Sequence, residues 1–412
     1  MPGNTIEGVI RMLVTAEDKI GDILKNHPEL YELFWESGFN YSSVAELVRS
    51  LGKDTMLRTV LTVKGLNAEL FINMINSRIG DGCQMEGLQY DYYNPDLPVN
   101  LLVKTACAVS EHFKEELMET VKARQKLTGE MPNVFIVDGC HAPHEFENFH
   151  DSESIDKLPD IIMSMSFDEI YDKRFIDKYV SQGYFTSVLD ARQGNRQEYM
   201  DDSYTLNAGL AMVFLIDEKK LGDLPRPQKW GDLLDPIYEN SIIAFGDEAK
   251  GIFEYPLYYF YKEFGMESME KLARNVKGIY HAAKAARMAG TNSREAGAIY
   301  YMPLTFAQLC ENKGVSIVLP EDGALIIPIA FLVKKDKVKE LDYLVNLVSN
   351  TYGQMCADIN AAVFNANIES KIPEGTKLKW LGWDYIRSHD IPALGEKLQE
   401  EFHKSWDKKP QS

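Results

Sequence analysis

From residue 99 onward, short apolar runs alternate with apolar stripes at helical spacing, and that alternation commits the chain to an α/β fold with largely parallel sheets. Residues 99–103 form a buried strand, and Val109, Phe113, Leu117 and Val121 lay one face of the next helix on it. Residues 133–137 and 160–165 are further strands, the second followed by Phe175, Tyr179 and Val180 on a helix that ends near Gly183. Residues 210–216, 241–245, 298–301, 315–319 and 325–333 complete the set. No internal repeat is visible, and only the tail 408–412 reads as loose.

Apolar residues make up 45% of the chain and charged residues 26%, a globular balance that argues against long disorder. At 412 residues the chain exceeds one ordinary core, so two or three domains are expected. Its 44 basic and 62 acidic side chains leave a net charge of −18, which repels phosphate backbones and anionic lipid heads. Neither nucleic acid nor membrane is therefore an expected partner. Residues 1–14 lack a basic start, a long apolar core and a small-residue cleavage site, so no signal peptide is expected there. Even the apolar run 325–333 stops at Lys334 and Lys335, too short to cross a bilayer. Five scattered cysteines, Cys83, Cys107, Cys140, Cys310 and Cys356, fit a reducing compartment in which thiols serve as small buried hydrophobes. The expected location is cytoplasmic, with the periplasm or the exterior as the alternative if a leader precedes this sequence.

Pro225, Arg226 and Pro227 stiffen a loop before an amphipathic turn that can bury Trp230 and Leu233; Pro236 stops it, and the strand from Ser241 runs into Gly246 and Asp247. About eighty residues on, Pro320-Glu321-Asp322-Gly323 forms a turn before the strand 325–333. This pair of segments, in this order, resembles the solute-binding proteins of ABC importers, over roughly residues 97–405. The resemblance implies a two-lobed type 2 periplasmic-binding-protein fold with a two-stranded hinge. One lobe would comprise residues 98–210 and 330–412, the other 211–329. It also implies a non-enzymatic protein, expected to be monomeric, that captures a small polar or anionic solute by hinge closure and delivers it to a permease. The alternative is a cytoplasmic ligand sensor or enzyme on the same scaffold that docks a partner protein.

Residues 1–80 read as a small all-α domain, joined through a turn-rich linker at 81–97. Ile20, Ile23 and Leu24 form one stripe, Pro28 opens the next turn, and Leu30, Leu33 and Phe34 continue to Gly38. Further stripes carry Leu57, Val60 and Leu61, then Leu66, Leu70, Phe71, Met74 and Ile75. The run Ile23-Leu24-x-x-His27-Pro28-Glu29-Leu30 with Gly38-Phe39 resembles a small helical domain of unknown function found in anaerobe proteins. Some members carry Cys-x-x-Cys after that glycine, whereas this chain has Asn40-Tyr41-Ser42-Ser43. A docking or packing role is expected in place of redox chemistry.

Ligands of open α/β lobes bind beyond the carboxyl ends of the strands, near helix N-termini. That rule selects Thr105 after the first strand and Ser164, Ser166 and Phe167 around the end of the third; in the second lobe it selects Gly246, Asp247, Tyr300 and Tyr301. The plainer account makes Thr105, Ser164 and Ser166 helix caps. Adjacent tyrosines ligate iron in ferric-binding members of the resembled superfamily. Here the corresponding pair falls about two residues later, on Met302 and Pro303, so Tyr300 and Tyr301 read as core or cleft wall. Cys140, His141 and His144 are weak metal candidates without a zinc spacing, and no cofactor is expected. No nucleophile elbow, phosphate loop or dinucleotide fingerprint is present.

Overall fold

The computed structural model describes residues 14–36, 39, 41, 43–64, 68, 71–72, 75, 93–106, 108–138, 148–189, 197–248, 250–310 and 314–408. The chain divides into two compact units, Met1–Asp91 and Tyr92–Ser412.

The first unit is helical, with α1 (Ile20–Asn26), α2 (Tyr31–Glu36), α3 (Val44–Leu51) and α4 (Leu57–Lys64). Pro28 opens the 3-10 turn Pro28–Leu30 where its missing N–H does no harm, and the Ser43 side chain caps α3 through the Glu46 N–H (3.2 Å). The predicted stripes meet in one core, in which Phe34 packs edge-on against Phe39 (5.4 Å) and Phe71 (5.2 Å). Leu66, Leu70 and Met74 lie outside the described residues, as does most of the expected linker.

The second unit is built on one mixed sheet. Parallel strands β1 (Leu101–Thr105), β2 (Val134–Asp138) and β3 (Ile161–Met165) form one end, with β1 in the middle. The 19-residue helix α5 (Ser110–Thr128) buries Phe113, Leu117 and Val121, as its spacing predicts. Two long strands, β4 (Tyr204–Asp217) and β9 (Ala324–Lys334), run antiparallel through the middle. Along β9, Ile329 to Val333 pair with β3, while the far end of β4 pairs with β7 (Ile299–Pro303) and β8 (Val315–Val318). Beyond β7 lie β5 (Ile242–Asp247) and β6 (Val276–Tyr280), with β5 parallel to both β7 and β6. Strands β4 and β9 thus join two lobes, and both are buried along their whole length, so every residue of each is apolar or bonded.

The sequence reading missed β6, whose Lys277 interrupts the apolar run, and it started β4 six residues late. Gly209 is required within β4, because a Cβ there would collide with Ile326 Cγ2 of β9. Helices α6 (Tyr255–Phe264) and α7 (Glu267–Asn275) cover the second lobe. After α8 (Tyr352–Asp358) and the short helix Trp383–Ser388, the last helix, α9 (Ile391–Trp406), packs on α6 and α7. Residues 391–406, expected with the first lobe, thus pack on helices of the second. The contact is tight: a Cβ on Gly395 would strike the Tyr258 hydroxyl.

The turn Trp230–Leu234 buries Trp230 and Leu233 as predicted. The Trp230 Nε1–H donates to Gly323 O (2.9 Å) and its backbone N–H to Asp322 Oδ1 (3.3 Å). The two segments that carried the resemblance are thus pinned to each other, which is why they occur together. No described helix is long and apolar enough to cross a membrane.

Candidate functional site

At the carboxyl edge of the first lobe, Thr105 ends β1 and Ser164 lies in β3, opposite Ala330 of β9. Neither caps a helix. The residue ahead of α5 is Val109, and the turn after β3 is capped by Asp168, which accepts the Ile170 N–H (3.4 Å). The hydroxyls of Thr105 and Ser164 are buried and have no hydrogen-bond partner among the described residues. Buried hydroxyls are normally paired, so these two are open to a partner beyond the described residues. Ser166 is buried just past β3.

Phe167 stands where the lobes meet. Its ring lies edge-on to Tyr258 of α6 (5.1 Å), parallel to Trp380 (6.0 Å) and beside Tyr171 (5.6 Å). Tyr171 stacks on Tyr204 (5.5 Å), and Tyr204 on Trp383 (5.0 Å). The Tyr171 hydroxyl and the Trp380 Nε1–H are also buried without partners among the described residues.

The second lobe departs from expectation. Gly246 and Asp247 end β5 and pair with Ile252 and Gly251, so they are strand and not a loop beyond it. Gly246 is needed for that close approach, since a Cβ would meet Gly251 O and Ile279. Asp247 closes the turn by accepting the Lys250 N–H (3.0 Å). Tyr300 and Tyr301 sit mid-strand in β7, so their side chains leave opposite faces and cannot share one ion. The Tyr300 hydroxyl accepts the Gly297 N–H (3.1 Å), which makes it structural. Tyr301 packs edge-on against Trp230 (6.0 Å) with its hydroxyl buried and without a partner among the described residues; burial alone holds its pKa well above the ordinary range. Cys140, His141 and His144 lie outside the described residues, and no group of three metal-binding side chains occurs among those described.

The sequence reading passed over a buried charge cluster. Lys104, 4% exposed, extends its Nζ to Asp168 Oδ2 (2.8 Å) and Glu169 Oε2 (2.6 Å). Burial works against its charge, but the two carboxylates outweigh that and hold the ammonium above its usual pKa. One cation cannot satisfy both acids. Burial and the Asp168 charge push Glu169 up to about 7, against the pull of Lys104. From the second lobe Glu254, just ahead of α6, accepts Gln399 Nε2–H (3.2 Å), and burial with the Asp168 charge raises it too. The signal was available: a lysine inside the apolar run Leu101-Leu102-Val103-Lys104-Thr105, with acids three and four residues after β3.

A depression of about 310 Å³ opens elsewhere on the first lobe, beside Leu189, Asn346, Asn350 and Phe364. It contains none of the predicted residues, and Asn365 there is already bonded to Ser349 O (3.1 Å) and Asn350 Oδ1 (2.7 Å).

Residues 156–389, more than half of the chain, match the family described as bacterial extracellular solute-binding protein. The chain belongs to that family. Residues 14–72 match a domain of unknown function (DUF1858). No curated protein matches the chain by sequence. The apo ferric ion-binding protein A of Pasteurella haemolytica shares its fold over 76% of this chain and 100% of its own, with TM-score 0.51 and 15% identity. The periplasmic binding protein AfuA of Actinobacillus pleuropneumoniae, solved with fructose-6-phosphate, covers 76% and 99%, with TM-score 0.50 and 13% identity. A protein described as mediating two-component signal transduction covers 73% and 100%, with TM-score 0.50 and 15% identity. Members of this family bind solutes and are not enzymes. The family is extracellular, which supports the second of the two locations considered and not the cytoplasmic one.

Proposed function

We propose that residues 98–408 capture a small polar solute between the lobes and present it to the permease of an ABC-type importer. The observation that carries this reading is the buried, unpartnered hydroxyl of Ser164 near the end of β3; Thr105, at the end of β1, buries a second one. Ser166 and Phe167 are read as extending that wall, and Tyr301 as the contributing hydroxyl of the second lobe. A solute touching both lobes favours the closed arrangement and shifts the population toward it through β4 and β9. The small helical domain, residues 1–80, is read as a docking module outside the solute site.

A thermal-shift screen of sugars, anions, amino acids and amines tests the reading, because a solute that binds only the folded protein raises its unfolding temperature. Whichever solute does so should bind more weakly to Ser164→Ala. Unchanged affinity in that variant and in Thr105→Val would remove both hydroxyls from the site. The importer role predicts that cells lacking this chain lose uptake of the same solute. A second reading, a ligand sensor, is favoured by the helical unit matched over residues 14–72, outside the solute-binding match. Intact uptake with loss of a transcriptional response to the solute would select it.

A further inference from the structure

Among the described residues, the seam between the lobes holds one lysine, Lys104, against three carboxylates, Asp168 and Glu169 in contact with it and Glu254 beside Tyr258, a formal charge of −2. Arg387, which approaches the ring of Tyr204, is held by Asp201 (2.6 Å) and does not offset it. Buried carboxylates beyond the number of cations are unfavourable unless something positive joins them.

Two further observations point to a ligand. Ser164 lies one step along the β1–β3 ladder, level with Lys104, so both side chains leave the same face of the sheet, and its buried hydroxyl is unpartnered. The Tyr171 hydroxyl is fully buried, unpartnered among the described residues and within the field of Asp168. The apolar surroundings are aromatic: Phe167 meets Tyr171 from its own lobe and Tyr258 from the other. Rings beside carboxylates suit an organic cation, which gains from both the ring faces and the charges.

We propose that the solute is an organic cation, a primary amine or diamine, whose ammonium is shared by Glu169 and Glu254 beside Phe167 and Tyr258. This deepens the solute-binding reading above and rests on it. An anion, the other class that the sequence admitted, would enter a buried region already in negative excess. The cation replaces the proton that burial otherwise keeps on Glu169 in part. Amine affinity should therefore rise as pH increases through about 7 and level off above it, while an anion would show the opposite slope.

The test is calorimetric titration of the full chain with putrescine and spermidine, and in parallel with phosphate, citrate and fructose 6-phosphate, at pH 6 and pH 8. The expected result is amine binding that tightens at pH 8 and weakens at least tenfold in both Glu169→Gln and Glu254→Gln. The wild-type pH slope needs no variant, so a misfolded mutant leaves the test intact. If an anion or a neutral sugar binds and responds to Ser164→Ala while the amines do not, the cation assignment is overturned and the solute-binding reading stands. If nothing in the panel or in the broader solute screen binds, both fall.

Discussion

Removing a hydroxyl that lacks a partner should stabilise the empty protein and weaken the loaded one. Thr105, Ser164 and Tyr301 each bury an oxygen that meets no donor or acceptor among the described residues. A buried polar group left unpaired costs about 1–3 kcal/mol. Thr105→Val, Ser164→Ala and Tyr301→Phe remove that penalty; Ser164→Ala and Tyr301→Phe each open space, about one atom's worth, which offsets part of the gain. We expect each variant to unfold with unchanged or higher stability, by roughly 0–2 kcal/mol. With an unfolding entropy of about 2.1 cal/mol/K per residue, a unit of some 300 residues moves by about 1.5 °C per kcal/mol, so the shift is roughly 0 to +3 °C. In the loaded protein the same oxygens are paired with solute, and their loss should raise the Kd about fivefold per neutral hydrogen bond.

Differential scanning calorimetry without solute and isothermal titration with it measure the two halves separately. An ordinary structural hydroxyl shows the reverse pattern, losing stability and keeping affinity. If the three variants each drop the unfolding temperature by several degrees and bind solute as tightly as the wild type, these side chains are serving the fold through internal water, and the site is elsewhere.

At the hinge, Gly209→Ala should destabilise by about 1–3 kcal/mol because its Cβ collides with Ile326, and adding Ile326→Ala should return part of that loss; additive effects in the double-mutant cycle would refute the contact. The buried pair Lys334–Asp160 (2.9 Å), with Leu158 O also on Nζ (2.8 Å), predicts a loss of about 3–5 kcal/mol for Asp160→Ala, read by urea unfolding. A loss under 1 kcal/mol would show that solvent reaches the ammonium. Glu169, held near pH 7 against its usual 4.5, is protonated more readily folded than unfolded, so the empty protein should lose stability as pH rises from about 4.5 through 7. Glu169→Gln should flatten that limb, and an identical profile would place the carboxyl in solvent. Cys310 and Cys356 are buried, so both should label with maleimide only after denaturation; labelling of either in the native state would contradict the packing.

What the sequence could reveal followed from how local each signal is. The α/β alternation, the Trp230 turn and the Pro320–Gly323 turn are written in consecutive residues, and the structure shows why they travel together: the Trp230 indole bonds Gly323 O across 93 residues of chain. Strand β6 escaped because Lys277 breaks its apolar run, although that lysine leaves the core to bond Arg294 O (2.7 Å) and Ala296 O (2.9 Å). The rule for strand ends selects Thr105, Ser164 and Ser166, which do stand at or near the ends of β1 and β3, whereas Gly246 pairs where a turn was expected, because period-two patterning cannot say where a strand stops. The seam was illegible for a different reason. Lys104, Asp168 and Glu254 are separated by 64 and 86 residues, Trp380 lies far beyond them, and α9 returns to the second lobe after the chain has left it. Only the hinge pair β4 and β9 brings those residues to one place, and a sequence records the cost of a buried charge nowhere except in the oddity of a lysine in an apolar strand. That oddity is the observation from which the charge of the solute can be argued, because Lys104 alone cannot balance the acids gathered around it.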